Sequence, residues 1–84
     1  MNIEIEILFF AKARELSGKN QAIISVSSII SFEDLLSVIV QEFDLDAIKH
    51  CCMLSVNEEY VNFEDTLHLK QGDIVAIIPP ISGG

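Results

Sequence analysis

Only one stretch of this 84-residue chain repeats its apolar residues at helical spacing over several turns. Phe32, Leu35, Leu36, Ile39, Val40 and Phe43 recur three or four apart, while Glu33, Ser37, Gln41 and Glu42 fall mainly on the wet side. The spacing predicts one substantial helix over residues 32–43 with a single apolar face. Ser31 stands before it as N-cap, with Asp34 three residues on, a capping-box variant carrying Asp in place of Glu. Elsewhere the dominant period is two, the signature of strands. A chain this short builds one domain around one core. Half of its residues are hydrophobic, enough for such a core. One helix and several short strands then leave a simple solution, in which the helix lies on the sheet.

"IEIEILFF" puts Ile3, Ile5, Ile7 and Phe9 on one face and Glu4, Glu6, Leu8 and Phe10 on the other. The second face turns apolar at Leu8 and Phe10, so that part is expected to be covered or to meet a partner. "AKAREL" is rich in helix formers and Ser17-Gly18 ends it as a short helix or turn. "QAIISV" reads as a second strand, and "LDAIKHCC" as a short helical turn. "MLSV" and "EYV" are short strands around a polar turn at Asn57-Glu58. "TLHL", "KQGD" and "IVAII" read as a hairpin in which Gly72 supplies the turn conformation and Asp73 shapes it. If the first and last strands pair in parallel at the sheet centre, the result is an α+β, ubiquitin-like β-grasp. It would have a mixed sheet, one main helix packed on it and an extended Gly-Gly tail. Several small α+β folds share this element order. The expected division is a β-grasp domain over 1–78 and a tail over 79–84.

Thirteen acidic residues against five basic give a formal net charge of −8. Such a field repels phosphate backbones, so no nucleic-acid partner is expected, and it suits a partner with a basic docking surface. Acidity that merely keeps a small protein in solution is the competing reading. No run reaches the apolar length of a membrane span, and Glu4 and Glu6 interrupt the N-terminus where a signal peptide is apolar. The expectation is a cytoplasmic protein without a membrane partner or a targeting segment. Cys51 and Cys52 are adjacent, beside His50, and neighbouring side chains diverge too much for a disulfide framework or a structural zinc site. No metal and no bound cofactor are expected. His68 reads as a strand side chain, and Lys12 and Lys19 as surface residues.

The C-terminal "PPISGG" is the stretch that carries chemistry. Proline has no N–H for a ladder, so the last strand is expected to stop at Pro79. Pro79-Pro80 favours an extended path. The six residues Pro79, Pro80, Ile81, Ser82, Gly83 and Gly84 reach at most about 20 Å. Glycines at the end can thread a narrow tunnel, so the terminal carboxylate can enter a deep site on another protein. A carboxylate becomes an electrophile once ATP adenylates it. The tail therefore reads as a carrier terminus activated at Gly84, with Gly83 as its neck.

"FFAKARELSG", "VNEEYV" and "GDIVAIIPPISGG", in this order and spacing, resemble the small, sulfur-carrying subunits of molybdopterin synthase. The end motif is the most specific of the three. Carriers of the thiamine pathway are similar mainly at the Gly-Gly end. Gln71 departs from the proline that many relatives have before Gly-Asp, and no role carries over to Cys51 or Cys52. The resemblance implies that an activating enzyme of the ubiquitin-activating type, using ATP, adenylates Gly84 and converts it to a thiocarboxylate. The tail then enters the large synthase subunit and gives its sulfur to cyclic pyranopterin monophosphate. Two small and two large subunits are implied, with the acid–base residues on the large one. The small subunit is thus a sulfur donor, catalytically incomplete alone.

The residues themselves place a docking patch where Phe10, Tyr60 and Ile78 would group around the root of the tail. The competing reading for each is ordinary core packing. Arg14 is either a partner for an acidic group or a solvated helix-end charge. Two other classes share much of this pattern: a protein modifier joined to lysines through Gly84, and a plain interaction domain. An independent hydrolase or transferase is not supported, because no nucleophile constellation or phosphate loop occurs.

Overall fold

The computed structural model describes residues 1–79, with the side chain of Cys51 left aside. The elements in chain order are β1 (Asn2–Phe9), α1 (Ala11–Ser17), β2 (Gln21–Ser27), β3 (Ile29–Ser31), α2 (Phe32–Phe43), a 3-10 helix (Asp46–Cys51), β4 (Met53–Val56), β5 (Glu59–Val61), β6 (Thr66–His68) and β7 (Ile74–Ile78). Five strands form one sheet in the order β2-β1-β7-β4-β5. β1 and β7 lie parallel at its centre, with Leu8 opposite Ala76 and Phe9 opposite Ile77. The remaining pairings are antiparallel. This is the β-grasp arrangement, and its central parallel pair joins residues nearly the whole chain apart.

The period-two pattern of β1 becomes two unlike sheet faces. Ile5, Ile7 and Phe9 are buried, and α2 covers that face with Leu35, Ile39 and Val40. Phe9 of β1 meets Phe43 of α2 edge to face, ring centroids 4.8 Å apart. The Ser31 side chain accepts the Asp34 N–H at 3.1 Å, and Glu33 and Asp34 lie in the first turn, where the helix dipole favours acids. Asp44 closes the helix in a left-handed conformation (φ 58), its N–H donating to the Val40 carbonyl. Gly18 does the same for α1, at φ 72. Among the described residues no helix is long and apolar enough to cross a membrane.

One expectation fails. Residues 66–78 do not form a hairpin. β6 pairs with β3 in a separate two-stranded sheet, Leu67 opposite Ile30. A strand has two hydrogen-bonding edges, and those of β7 are taken by β1 and β4. The turn at 70–73 does form, with the Asp73 N–H donating to the Lys70 carbonyl at 3.0 Å and Gly72 at φ 86. Asp73 shapes it as expected, Oδ2 accepting the Lys70 N–H at 2.9 Å. The turn is fastened to β1 rather than closing a hairpin. The Gly72 N–H donates to the Glu4 carbonyl at 2.8 Å, and the Gln71 side-chain oxygen accepts the Glu4 N–H at 2.9 Å. β3 itself is three residues long, too short to show a period in the sequence.

Candidate docking site at the root of the tail

The face of the sheet opposite α2 begins with charge and ends apolar. Along β1 it presents Glu4, Glu6 and Leu8, followed by Phe10, which stays extended (φ −121, ψ 150) before Ala11 turns the chain at φ 50. Along β7 it presents Ile74, Ala76 and Ile78, because Ile74 pairs with Glu6 and Ala76 with Leu8. β4 and β5 complete the face with Ser55 and, opposite it, Tyr60. Leu8, Phe10, Ser55, Tyr60, Ile74, Ala76 and Ile78 line a shallow cleft of about 490 Å³, together with Asn57 and Glu58 of the β4–β5 turn. Phe10 is 47% exposed, Ile74 40% and Tyr60 65%, values high enough to mark a surface that gains by being covered.

Phe10, Tyr60 and Ile78, the three residues expected around the tail's root, therefore share one cleft. Leu8 belongs to it too, as the apolar turn of its strand face indicated. Ile74 and Ala76 were missed, although the period of two in "IVAII" sets them on the same face as Ile78. Arg14 is not brought to the cleft. It is exposed on α1, and its carbonyl accepts the Gly18 N–H at 2.9 Å. Pro79 is buried directly after β7. Pro80, Ile81, Ser82, Gly83 and Gly84 lie outside the described residues.

The rim of the cleft is held by an asparagine that sequence reasoning treated as a plain turn residue. The Asn57 N–H donates to the Ile74 carbonyl at 2.8 Å, and its side-chain oxygen accepts the Ile74 N–H at 3.0 Å. Its side-chain amide donates to Asp73 Oδ1 at 3.1 Å. The β4–β5 turn is thereby locked to the start of β7, and Tyr60 is carried into place beside Ser55. On the other side of the molecule, Cys52 is half-buried against the core and its Sγ donates to the Ile48 carbonyl at 3.0 Å. His50 and His68 are exposed, and neither lines the cleft.

Among the described residues the cleft offers apolar contact and one carboxylate, that of Glu58. Exposed apolar side chains of this kind suit contact with another surface. Residues 7–84 match the model of the ThiS family. The chain is 42% identical to the molybdopterin synthase sulfur carrier subunit of Drosophila erecta, covering 98% of this chain and 92% of that protein. It is also 42% identical to the protein of the same name from Chlamydomonas reinhardtii, over 98% and 100%. Among solved structures it is similar to SAMP1 from Haloferax volcanii, with TM-score 0.77, 21% identity and coverage of 96% and 99%. Ubiquitin of Caldiarchaeum subterraneum gives 0.73 at 15% identity over all of both chains. A complex of subunits 1 and 2 of molybdopterin-converting factor from Helicobacter pylori gives 0.69 at 21% identity, covering 98% of this chain and 100% of that one. The structural likenesses establish a ubiquitin-like β-grasp fold, and the sequence matches establish the rest: the chain belongs to the ThiS family and, within it, to the molybdopterin synthase sulfur carrier subunits.

Proposed function

We propose that this chain carries sulfur on its C-terminal glycine and acts as the small subunit of a cytoplasmic molybdopterin synthase. The observation that carries the reading is an open apolar cleft at the root of a chain end reading "PPISGG". Activation begins with a separate adenylyltransferase of the ubiquitin-activating type. The Gly84 carboxylate attacks the α-phosphate of ATP, and pyrophosphate leaves. Sulfide-level sulfur, as HS⁻, then attacks the acyl carbon and AMP leaves, giving a thiocarboxylate at Gly84. With Gly83 as its slim neck, the tail enters the large subunit and gives its sulfur to cyclic pyranopterin monophosphate. Two such transfers build one dithiolene.

The body of the protein holds the tail in register with its partner. The large subunit covers Phe10, Tyr60 and Ile78, and Pro79 to Ser82 lead from that contact to the reactive end. The complex of subunits 1 and 2 of molybdopterin-converting factor from Helicobacter pylori, a relative in fold, supports a large-subunit partner. The assembly proposed is two small and two large subunits. Burying the exposed parts of three large apolar side chains is worth a few kcal/mol, at about 25 cal/mol per Å². That is enough to orient the tail without making the complex permanent.

Intact mass tests the reading directly. The chain is incubated with its activating enzyme, ATP and a sulfur donor, beside a variant lacking Gly84. The expected outcome is a gain equal to one sulfur replacing one oxygen, absent from the variant. An unchanged mass, with the same enzyme active on another carrier, sinks the sulfur-carrier reading.

A further inference from the structure

We propose that Glu58 is a specificity-determining residue of the cleft, its carboxylate receiving a lysine or arginine side chain of the large synthase subunit docked there. The proposal rests on the docking reading above and adds to it the charge that the partner must present. The Asn57-Glu58 turn joins β4 to β5 through two residues that both have positive φ, 50 and 74. Two-residue hairpins favour this mirror-image turn, whose second position is ordinarily glycine. Asparagine tolerates the left-handed region, and here Asn57 is fastened by its three bonds to the start of β7 and to Asp73. Glu58 has no such excuse. A long side chain at that φ is disfavoured, and its carboxylate makes no hydrogen bond or ion pair among the described residues.

The turn does not need a glutamate, so its use is sought in what it faces. Among the described residues Glu58 is the one charged residue lining the cleft, and the apolar wall beside it includes Ile74 and Tyr60. Glu6, paired with Ile74 across β1 and β7, adds a second carboxylate to the same end. The cleft is therefore polarised along the strands. Phe10 and Ile78 stand at the tail's end, and the carboxylates stand near Ile74, four residues or about 13 Å away. Within a chain of net charge −8, the complement of that end is a cation. Once apolar surface closes around it, the surrounding dielectric falls and the pair strengthens. The partner is thereby required to seat apolar side chains near the tail and a cation about 13 Å from them, which sets the orientation in which Gly84 is delivered.

The test measures binding of the full chain to the large subunit of the same organism, by calorimetry and stopped flow, at low and high salt. Wild type is compared with Glu58→Gln, Glu58→Gly and Phe10→Ala. At low salt Glu58→Gln is expected to weaken binding about two- to fivefold, mostly through a slower on-rate, with the gap closing at high salt. Glu58→Gly is expected to lose as much affinity while melting at a higher temperature, since glycine relieves the left-handed backbone. Wild-type affinity, on-rate and salt dependence in Glu58→Gln, with binding weakened in Phe10→Ala, overturn the role of Glu58 and leave the docking reading standing. Unchanged binding in Phe10→Ala overturns both.

Discussion

The two faces of the central sheet are made from the same strands, yet they are built to opposite ends. Beneath α2, Ile5, Ile7, Val75, Ile77 and Leu54 are at most 1% exposed, and the helix supplies Leu35 and Ile39 with no exposure at all. On the other face, Leu8, Ala76 and Ile78 are joined by Phe10, Ile74 and Tyr60, which remain open to water. Glu4 and Glu6 mark the open face of β1, but along β7 both faces are apolar, so strand propensity there does not distinguish them. Position does: the single amphipathic helix has one apolar stripe and can cover one face. The difference teaches that stability and recognition are separated by the thickness of one sheet. Residues of one face are expected to move the melting curve, and those of the other the binding curve.

The largest effect should come from breaking the covered face. Leu35→Ala removes a fully buried side chain from the middle of α2 and is expected to cost about 2–5 kcal/mol. Against a total of about 5–15 kcal/mol for a small domain, chemical denaturation should show a strongly lowered midpoint. An effect below about 1 kcal/mol would mean that the helix is not seated as described.

Phe10→Ala sharpens the contrast from the open face. Its ring is 47% exposed, so stability should fall by no more than about 1 kcal/mol. Affinity for the large subunit should fall by about 1–3 kcal/mol, the range of an aromatic anchor. The comparison fails if the same denaturation experiment shows the larger loss. Ser31→Ala is the mildest of the three. It deletes the cap that accepts the Asp34 N–H and should lower stability by about 1 kcal/mol, leaving affinity for the partner unchanged. A changed affinity would show that α2 and the cleft are coupled through the sheet.

Much of this was legible before any coordinates. The helix over Phe32–Phe43, its Ser31 cap, the two-faced first strand and the Gly18 stop are local features, and local signals of period, cap and turn specify them. The cleft was half legible. Phe10, Tyr60 and Ile78 could be named because each is a large apolar residue at an element end. Their neighbours Ile74 and Ala76 gained meaning only from the register of β7 beside β1. The error over residues 66–78 has the same origin. "KQGD" is a sound turn, but turn chemistry says nothing about which strand lies alongside.

The sequence alone therefore determined the kinds of element, their caps and the chemistry of the chain end, because these depend on residues a few positions apart. Tertiary structure decided that β6 pairs with β3, that Gln71 and Gly72 fasten to Glu4, and that Glu58 stands at the mouth of the cleft. Those outcomes depend on which strand edges remain free once β1 and β7 have paired across almost the full length of the chain. Only the assembled sheet settles that competition.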